Sequence, residues 1–211
     1  SHIRSGDRVV TAHACGEPVI LTDAMTECAD EYGYKDVEIV HMVAMGKAGY
    51  CAPEMSEHFR HNALFLGAST RAAIAEGRGD FTPVFFSEVP ELLRTKLHPN
   101  VALISVSEPD EHGNCSYGIS CDYTKPAAEA ADIVIAQVNR KMPRVFGDNI
   151  ITHNRFENVG PMSLEDCISY AVTGPAGRAS GWKNDVRKNH PYDMYDKVEW
   201  EQVTMNGCDT M

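Results

Sequence analysis

Runs of apolar residues alternate with segments of helical periodicity along the first part of the chain. Two runs, Val101–Val106 and Ile133–Val138, are apolar at nearly every position. A strand can be apolar throughout only when both faces of its sheet are covered. We therefore predict both runs as strands in the interior of an α/β fold, with an open, mainly parallel sheet covered by helices on both faces.

Shorter patterns predict the remaining elements. The further apolar or β-branched runs are residues 8–13, 37–43, 63–67 and 81–86. Apolar positions at helical spacing occur in residues 19–32, 70–76 and 89–97. Pro18 suits the start of the first of these helices, because proline is tolerated in a first turn. Strands and helices in alternation favour parallel pairing.

The pattern of apolar and polar residues changes after Pro143. Residues 147–211 contain no long buried-strand run and are rich in polar and turn residues, although 163–172 has the pattern of a capped helix. We predict a domain over residues 1–146 and an irregular tail over 147–211. The tail has too few large apolar residues for a core of its own.

Composition narrows the class of protein. Of the 211 residues, 43% are hydrophobic and 23% charged, as in ordinary globular proteins. The net charge of −11 disfavours nucleic acid and anionic membrane surfaces as partners. Seven scattered cysteines without a CxxC pair favour a reducing compartment. The sequence shows no signal peptide and no bilayer-spanning run, so we expect no membrane insertion and a cytoplasmic protein.

Three loops that follow predicted strands are candidates for binding. The first contains Gly67, Ser69, Thr70 and Arg71, which combine a glycine, two hydroxyls and a guanidinium. Such a loop at the start of a helix suits a carboxylate or phosphate oxygen. The alternative is a plain helix start, capped by Ser69 or Thr70.

The second loop, residues 107–118, is denser in polar residues and glycine than a turn requires, and it contains His112, Gly113 and Asn114. The alternative is a β-hairpin in which backbone groups satisfy the histidine and the asparagine. No second pair of ligands stands at zinc-like spacing, so we expect no metal. The third loop carries Lys47, which could meet an anion or simply be solvated.

No residue is marked by its neighbours as a nucleophile. Glu54, Glu88 and Glu108 could each attack an acyl group, but none stands in a distinguishing pattern. Neither a GxSxG elbow nor a Cys–His signature is present. The residues alone thus predict an α/β domain with an anion-binding edge and leave its reaction open.

Several short sequence motifs occur in a characteristic order over about the first 145 residues. They include SGDRVV at 5–10, GKA at 46–48, TR at 70–71, EGRGD at 76–80, PVFFSEVP at 83–90, the whole of 107–118 and MPR at 142–144. In this order they resemble the CoA-transferase family of the 4-hydroxybutyrate CoA-transferase and acetyl-CoA hydrolase type. The resemblance implies transfer of CoA from an acyl-CoA to a free carboxylate.

The resemblance also implies where the reaction takes place. In that family a glutamate of a second domain attacks the thioester, and nothing in this chain matches that glutamate. The chain alone is then inactive unless a complementing domain supplies it. The implied substrate-binding residues are Gly67, Ser69, Thr70, Arg71, His112, Gly113 and Asn114. A CoA thioester is expected as substrate, and no bound cofactor is expected.

The tail resembles a different family. Its sequence motifs resemble an internal piece of the 49-kDa (D) subunit of NADH–quinone oxidoreductase. They run from Asn154-Arg155 through Thr173-Gly174-Pro175 to Gly207-Cys208-Asp209. An apparent chimera, with its junction near residues 146–153, follows. The alternative function is a structural or interaction module of such a complex.

The expected architecture also predicts self-association. A first domain without its second domain exposes an apolar surface, and the tail is too poor in large apolar residues to cover it. We therefore expect a dimer or a larger species.

Overall fold

The computed structural model describes residues 2–152. Its helices are α1 (Val19–Glu27), α2 (Ala29–Tyr32), α3 (Arg71–Ala75), α4 (Val89–Thr95) and α5 (Thr124–Ala130). Its strands are β1 (Arg8–Thr11), β2 (Val37–His41), β3 (Phe59–Ala63), β4 (Gly79–Phe81), β5 (Val101–Val106), β6 (Asn114–Ser116), β7 (Ile133–Val138) and β8 (Ile150–Thr152). Short 3-10 turns lie at Ala14–Gly16, Gly49–Cys51, Pro53–Met55 and Phe86–Glu88.

Six parallel strands form the main sheet, in the order β4-β3-β2-β1-β5-β7. Strand β5 lies between β1 and β7, and all six of its residues are buried. The predicted interior position of Val101–Val106 is thereby confirmed.

Strand β7 is the last strand in the sheet order. Ile133–Val138 is a strand with the predicted bounds, and five of its six residues are buried, so its predicted position in the interior of the domain is confirmed. Its place at the end of the sheet was not predicted, because an apolar sequence indicates that both faces of a strand are covered and does not depend on the number of hydrogen-bonded neighbours.

Apolar side chains cover both faces of the sheet. On one face, Leu21 and Met25 of α1 pack with Val9 and Ile39 of the sheet in one core cluster. On the other face, Val89 and Leu93 of α4, Ala127 of α5 and Tyr123, which precedes α5, form a cluster with sheet residues. The predicted α/β class, a mainly parallel sheet between helices, is confirmed.

Strand β3 begins and ends earlier than predicted. The sequence analysis placed it at residues 63–67, but the strand is Phe59–Ala63. Its residues His61 and Asn62 are polar, so the sequence pattern did not indicate a strand there, although both residues are buried. His61 Nδ1 donates to the Ile39 carbonyl at 3.0 Å, and Asn62 Nδ2 donates to Glu38 Oε1 at 2.7 Å. Hydrogen bonding thus offsets the cost of burying two polar side chains in a strand.

Two other predicted elements are shorter than their patterns. The predicted helix 19–32 is interrupted at Cys28, between α1 and α2. The hydroxyl of Thr26 donates to the Thr22 carbonyl, and such back-bonding bends helices. In the run 81–86 only Phe81 belongs to a strand, because Pro83 has no N–H to donate to a ladder.

A second, two-stranded sheet is formed by β6 and β8, which are antiparallel. Ile151 of β8 is buried in the same cluster as Ile104 of β5. The boundary between residues 146 and 147 stays a prediction, and the predicted helix at 163–172 lies outside the described residues. Within residues 2–152, no helix has the length and apolar character to cross a membrane.

Candidate functional site

The candidate site lies at the edge of the main sheet where the parallel strands end. The loops after β1, β2, β3, β5 and β7 all emerge there. In open α/β sheets this edge is where ligands bind. The first and third candidate loops follow β3 and β2, and the second follows β5.

Two side chains of the first predicted loop donate hydrogen bonds to backbone carbonyls. Ser69 Oγ donates to the Ala44 carbonyl at 3.1 Å, and Arg71 Nη2 donates to the Leu66 carbonyl at 3.2 Å. Thr70 is only 1% exposed, and its Oγ1 has no hydrogen-bond partner among the described residues. The Thr70 side chain does not cap α3. The capping alternative is therefore wrong for Thr70, whose hydroxyl is buried without a hydrogen-bond partner among residues 2–152.

The second predicted loop satisfies its own backbone. Asp110 Oδ1 accepts the amide hydrogens of His112 and Asn114, at 2.9 and 2.8 Å. The Gly113 amide donates to the Asp110 carbonyl at 2.9 Å. These three amides are therefore not available to an anion. The exposed polar side chains of this turn include His112 and Glu111, which are 74% and 86% exposed, and His112 Nε2 lies 3.5 Å from Glu111 Oε1.

The third loop joins the first. Its Ala44 carbonyl accepts from Ser69, as described above, and its Met45 and Gly46 amides donate to Glu17 Oε2 at 2.5 and 2.9 Å. Lys47 Nζ lies 3.8 Å from Asp23 Oδ2 and its side chain is 62% exposed, so Lys47 is both paired and solvated. The post-β1, post-β2 and post-β3 loops thus form one connected group.

The second loop stands apart from this group. Strands β2 and β1 lie between β3 and β5 in the sheet. Three strand spacings correspond to about 14 Å. The predicted residues thus fall into two clusters, one containing Gly67, Ser69, Thr70 and Arg71 and the other His112, Gly113 and Asn114.

Glu17 is a site residue that the sequence analysis missed. It is 7% exposed, and its Oε1 has no partner among residues 2–152. Burial raises the pKa of Glu17 to about 7, although the Gly46 and Met45 amides act in the opposite direction. A signal was present in the sequence, because Glu17 is an acidic residue between Gly16 and Pro18 in the segment that follows strand β1.

His13 and Asp122 form a second missed pair. His13 Nε2 lies 3.3 Å from Asp122 Oδ2, and Ser120 Oγ donates to the same oxygen at 2.7 Å. Burial would raise the pKa of Asp122, but the hydrogen bonds from His13 and Ser120 outweigh it and lower the pKa to about 2. The Asp122 carboxylate is ionised at neutral pH and orients the imidazole.

Two further imidazoles are buried near this edge. His41 Nδ1 and the Tyr50 hydroxyl are hydrogen-bonded at 2.6 Å, and the rings of Tyr50 and His61 lie 5.5 Å apart. Burial lowers the pKa of His61 to about 4 and the pKa of His41 well below its usual value. Both imidazoles are neutral at pH 7 and cannot serve as cations for an anionic substrate.

The glutamates considered as nucleophiles are placed unfavourably. Glu54 and Glu88 lie on the surface, and Glu108 Oε1 pairs with Arg140 Nε at 3.1 Å. The Glu88 carboxylate accepts the Phe85 amide at 3.4 Å, as expected of a residue at a helix start. Among residues 2–152, no group of three or more His, Cys, Asp or Glu side chains has the arrangement of a metal site.

Comparisons with known proteins define the class. The acetyl-CoA hydrolase/transferase N-terminal domain family matches residues 1–174, and the chain belongs to this family. It is 57% identical over 152 residues to the 4-hydroxybutyrate coenzyme A transferase of Clostridium kluyveri, covering 72% of this chain and 35% of that protein. The chain thus spans about a third of the length of this transferase relative.

A solved structure agrees with this placement. The chain is similar to the crystal structure of 4-hydroxybutyrate CoA-transferase from Porphyromonas gingivalis, with 35% identity and a TM-score of 0.60. The similarity covers 74% of this chain and 35% of that one. A separate segment is 52% identical over 59 residues to the C/D subunit of NADH-quinone oxidoreductase from Phocaeicola vulgatus, covering 28% of this chain and 11% of that protein. Both resemblances stated from the sequence are confirmed.

Proposed function

We propose that the chain is the N-terminal half of an acyl-CoA:carboxylate CoA-transferase acting on 4-hydroxybutyrate- or acetate-type acyl groups. The observation that carries this proposal is the 57% identity over 152 residues to a 4-hydroxybutyrate coenzyme A transferase. The sheet edge supports it, because both loop clusters follow strands of the parallel sheet at the edge where such sheets bind ligands. Acyl-CoA and a free carboxylate are the proposed substrates.

The proposed binding residues are those of the two clusters. Thr70 offers a buried hydroxyl without a partner among the described residues, and Ser69 and Arg71 flank it. His112 offers an exposed imidazole on the other side. A CoA thioester presents a carbonyl oxygen and amide groups, all of which accept hydrogen bonds from such donors.

The proposed nucleophile lies outside residues 1–211. A glutamate that attacks a thioester must be both accessible and partly desolvated. Glu54 and Glu88 are exposed, Glu108 is paired with Arg140, and Glu17 is buried against two amides. None of these four combines the two requirements, and the family resemblance places the nucleophilic glutamate in a second domain, so we expect the chain alone to be inactive.

Turnover of acetyl-CoA with butyrate tests this proposal. We expect the isolated chain to form no butyryl-CoA, and borohydride reduction to trap no glutamyl-CoA thioester. Addition of the remaining part of the Clostridium kluyveri relative should restore exchange if the two parts assemble. Robust turnover by the isolated chain would show that a nucleophile is present within it.

The match to the C/D subunit of NADH-quinone oxidoreductase favours a second candidate function. In this alternative the chain is a structural or interaction module, and the matched segment docks onto other proteins of a related complex. Capture of such proteins by the immobilised chain tests it directly. Absence of capture, together with restored acyl exchange, would eliminate the alternative.

A further inference from the structure

Two sequence motifs that carry the family resemblance are in contact in the structure. One is the loop 107–118 after β5, and the other is MPR at 142–144, after β7. Arg144 Nη2 donates to Asp110 Oδ2 at 2.7 Å, and Arg144 Nη1 donates to the Asn114 carbonyl at 3.0 Å. One guanidinium thus holds both ends of the Asp110–Asn114 turn, across about 30 residues of sequence.

Asp110 is the centre of this arrangement. Its Oδ1 accepts the amides of His112 and Asn114, while its Oδ2 accepts Arg144. The pKa of Asp110 lies below its ordinary value, chiefly because the Asn114 amide stabilises the charged form. The turn also contains Gly113 at φ +78°, a conformation that L side chains rarely adopt. Arg144 adds two hydrogen bonds to this turn from outside it.

Further contacts fix the base of the loop to the same segment. Ser116 Oγ accepts the Val145 amide at 3.0 Å and donates to Asn149 Oδ1 at 2.8 Å. Strand β6 pairs with β8 over three residue pairs. The base is thus anchored twice, whereas the tip of the loop is held from outside by Arg144.

We propose that Arg144, acting through Asp110, is a positioning residue that fixes the His112–Gly113–Asn114 turn against the acyl-CoA. This inference rests on the proposed function, because the turn is one of the two proposed substrate-binding clusters. Arg144 itself does not contact substrate in this account. A planar guanidinium bonds two acceptors at once, which a lysine ammonium cannot reproduce with the same geometry.

Arg140 provides a matched control. It lies four residues before Arg144 and pairs with Glu108 of the same loop at 3.1 Å. This pair is exposed, with 75% and 55% of its side chains accessible, whereas Arg144 and Asp110 are 30% and 29% exposed. Exposed ion pairs contribute little, so Arg140→Gln should leave the loop unchanged.

Hydrogen exchange on the full chain, with and without acetyl-CoA, tests the proposal. In Arg144→Gln, we expect exchange of the residue 107–118 amides to rise by about tenfold or more, because two charge-assisted bonds are lost. Arg144→Lys should recover part of the protection, and Arg140→Gln should match the unsubstituted chain. Acetyl-CoA should further protect the turn in the unsubstituted chain and in Arg140→Gln, but not in Arg144→Gln.

The outcomes separate this inference from the proposed function. Unchanged exchange in Arg144→Gln overturns the positioning role, whatever the chain binds. Faster exchange in Arg144→Gln without acetyl-CoA protection in any variant also overturns it, and identifies the proposed acyl-CoA site as the part that failed. Faster exchange combined with loss of acetyl-CoA protection only in the Arg144 variants supports both.

Discussion

The two sides of the candidate site differ in how their polar groups are satisfied. On the β5 side, the Asp110 carboxylate and the Ser116 hydroxyl each make several hydrogen bonds. On the β1–β3 side, five buried polar side-chain atoms lack a partner among the described residues. They are His13 Nδ1, Glu17 Oε1, His41 Nε2, His61 Nε2 and Thr70 Oγ1.

This difference indicates on which side the polar groups already have hydrogen-bond partners. Buried polar groups are nearly always hydrogen-bonded, so five exceptions in one region distinguish the β1–β3 side from the β5 side. On the β5 side, hydrogen bonds satisfy the Asp110 carboxylate and the Ser116 hydroxyl. The β1–β3 side carries unsatisfied groups, and therefore offers more hydrogen-bonding capacity to a ligand or a second domain.

The largest expected effect concerns Glu17 on the unsatisfied side. Its pKa is raised from an ordinary value of 4.5 to about 7 in the folded chain. The folded state holds this proton more tightly, so its stabilising contribution is complete below pH 4.5 and is lost as the pH rises through 7. The shift corresponds to about 3 kcal/mol. Glu17→Gln, a neutral isostere, should therefore flatten the pH dependence of the unfolding free energy between about pH 4.5 and 8.

Denaturant unfolding at several pH values measures this change. Glu17→Gln and the unsubstituted chain should differ least at about pH 4.5, diverge as the pH rises to about 7, and keep a constant difference above that, where the variant is more stable. Glu54→Gln, which replaces an exposed carboxylate, serves as control and should follow the unsubstituted curve. Parallel curves for Glu17→Gln and the unsubstituted chain would contradict the raised pKa.

Removal of one hydroxyl on each side of the candidate site is expected to change the stability less than Glu17→Gln does. Ser116→Ala removes a hydroxyl that bonds the Val145 and Gly118 amides, and should cost about 2 kcal/mol. Thr70→Val removes a hydroxyl without a partner among residues 2–152 and should be neutral or stabilise the chain by up to about 1 kcal/mol. Thermal unfolding of both variants decides it. Equal destabilisation by the two substitutions would remove the distinction between the sides.

Sequence patterns predicted the buried part of the fold well. The bounds of β5 and β7 were both correct, because a strand with two covered faces is apolar at nearly every position. The position of β7 at the end of the sheet was missed, since burial of its faces does not depend on its second neighbour. Strand β3 was displaced because His61 and Asn62 are buried through hydrogen bonds that no local pattern displays.

The site was harder to predict than the fold. The sequence placed Thr70 and His112 at the correct edge, because both follow strands of a parallel sheet. It missed Glu17 and the Asp110–Arg144 contact, whose partners lie 28 to 34 residues away along the chain. Such contacts are created by the packing of loops from different strands. The self-association predicted from the sequence stays a prediction; exposed side chains such as Phe85 and Phe86 are consistent with it.

A graft into a complete relative tests the central claim most directly. Residues 1–152 of this chain would replace the corresponding third of the Clostridium kluyveri transferase, to which they are similar. We expect the graft to transfer CoA between acetyl-CoA and butyrate with a kcat/KM within about tenfold of the parent enzyme. The parent without that third should be inactive. A folded graft that binds no acyl-CoA and transfers no CoA would contradict the claim that this chain supplies the N-terminal half of a CoA-transferase.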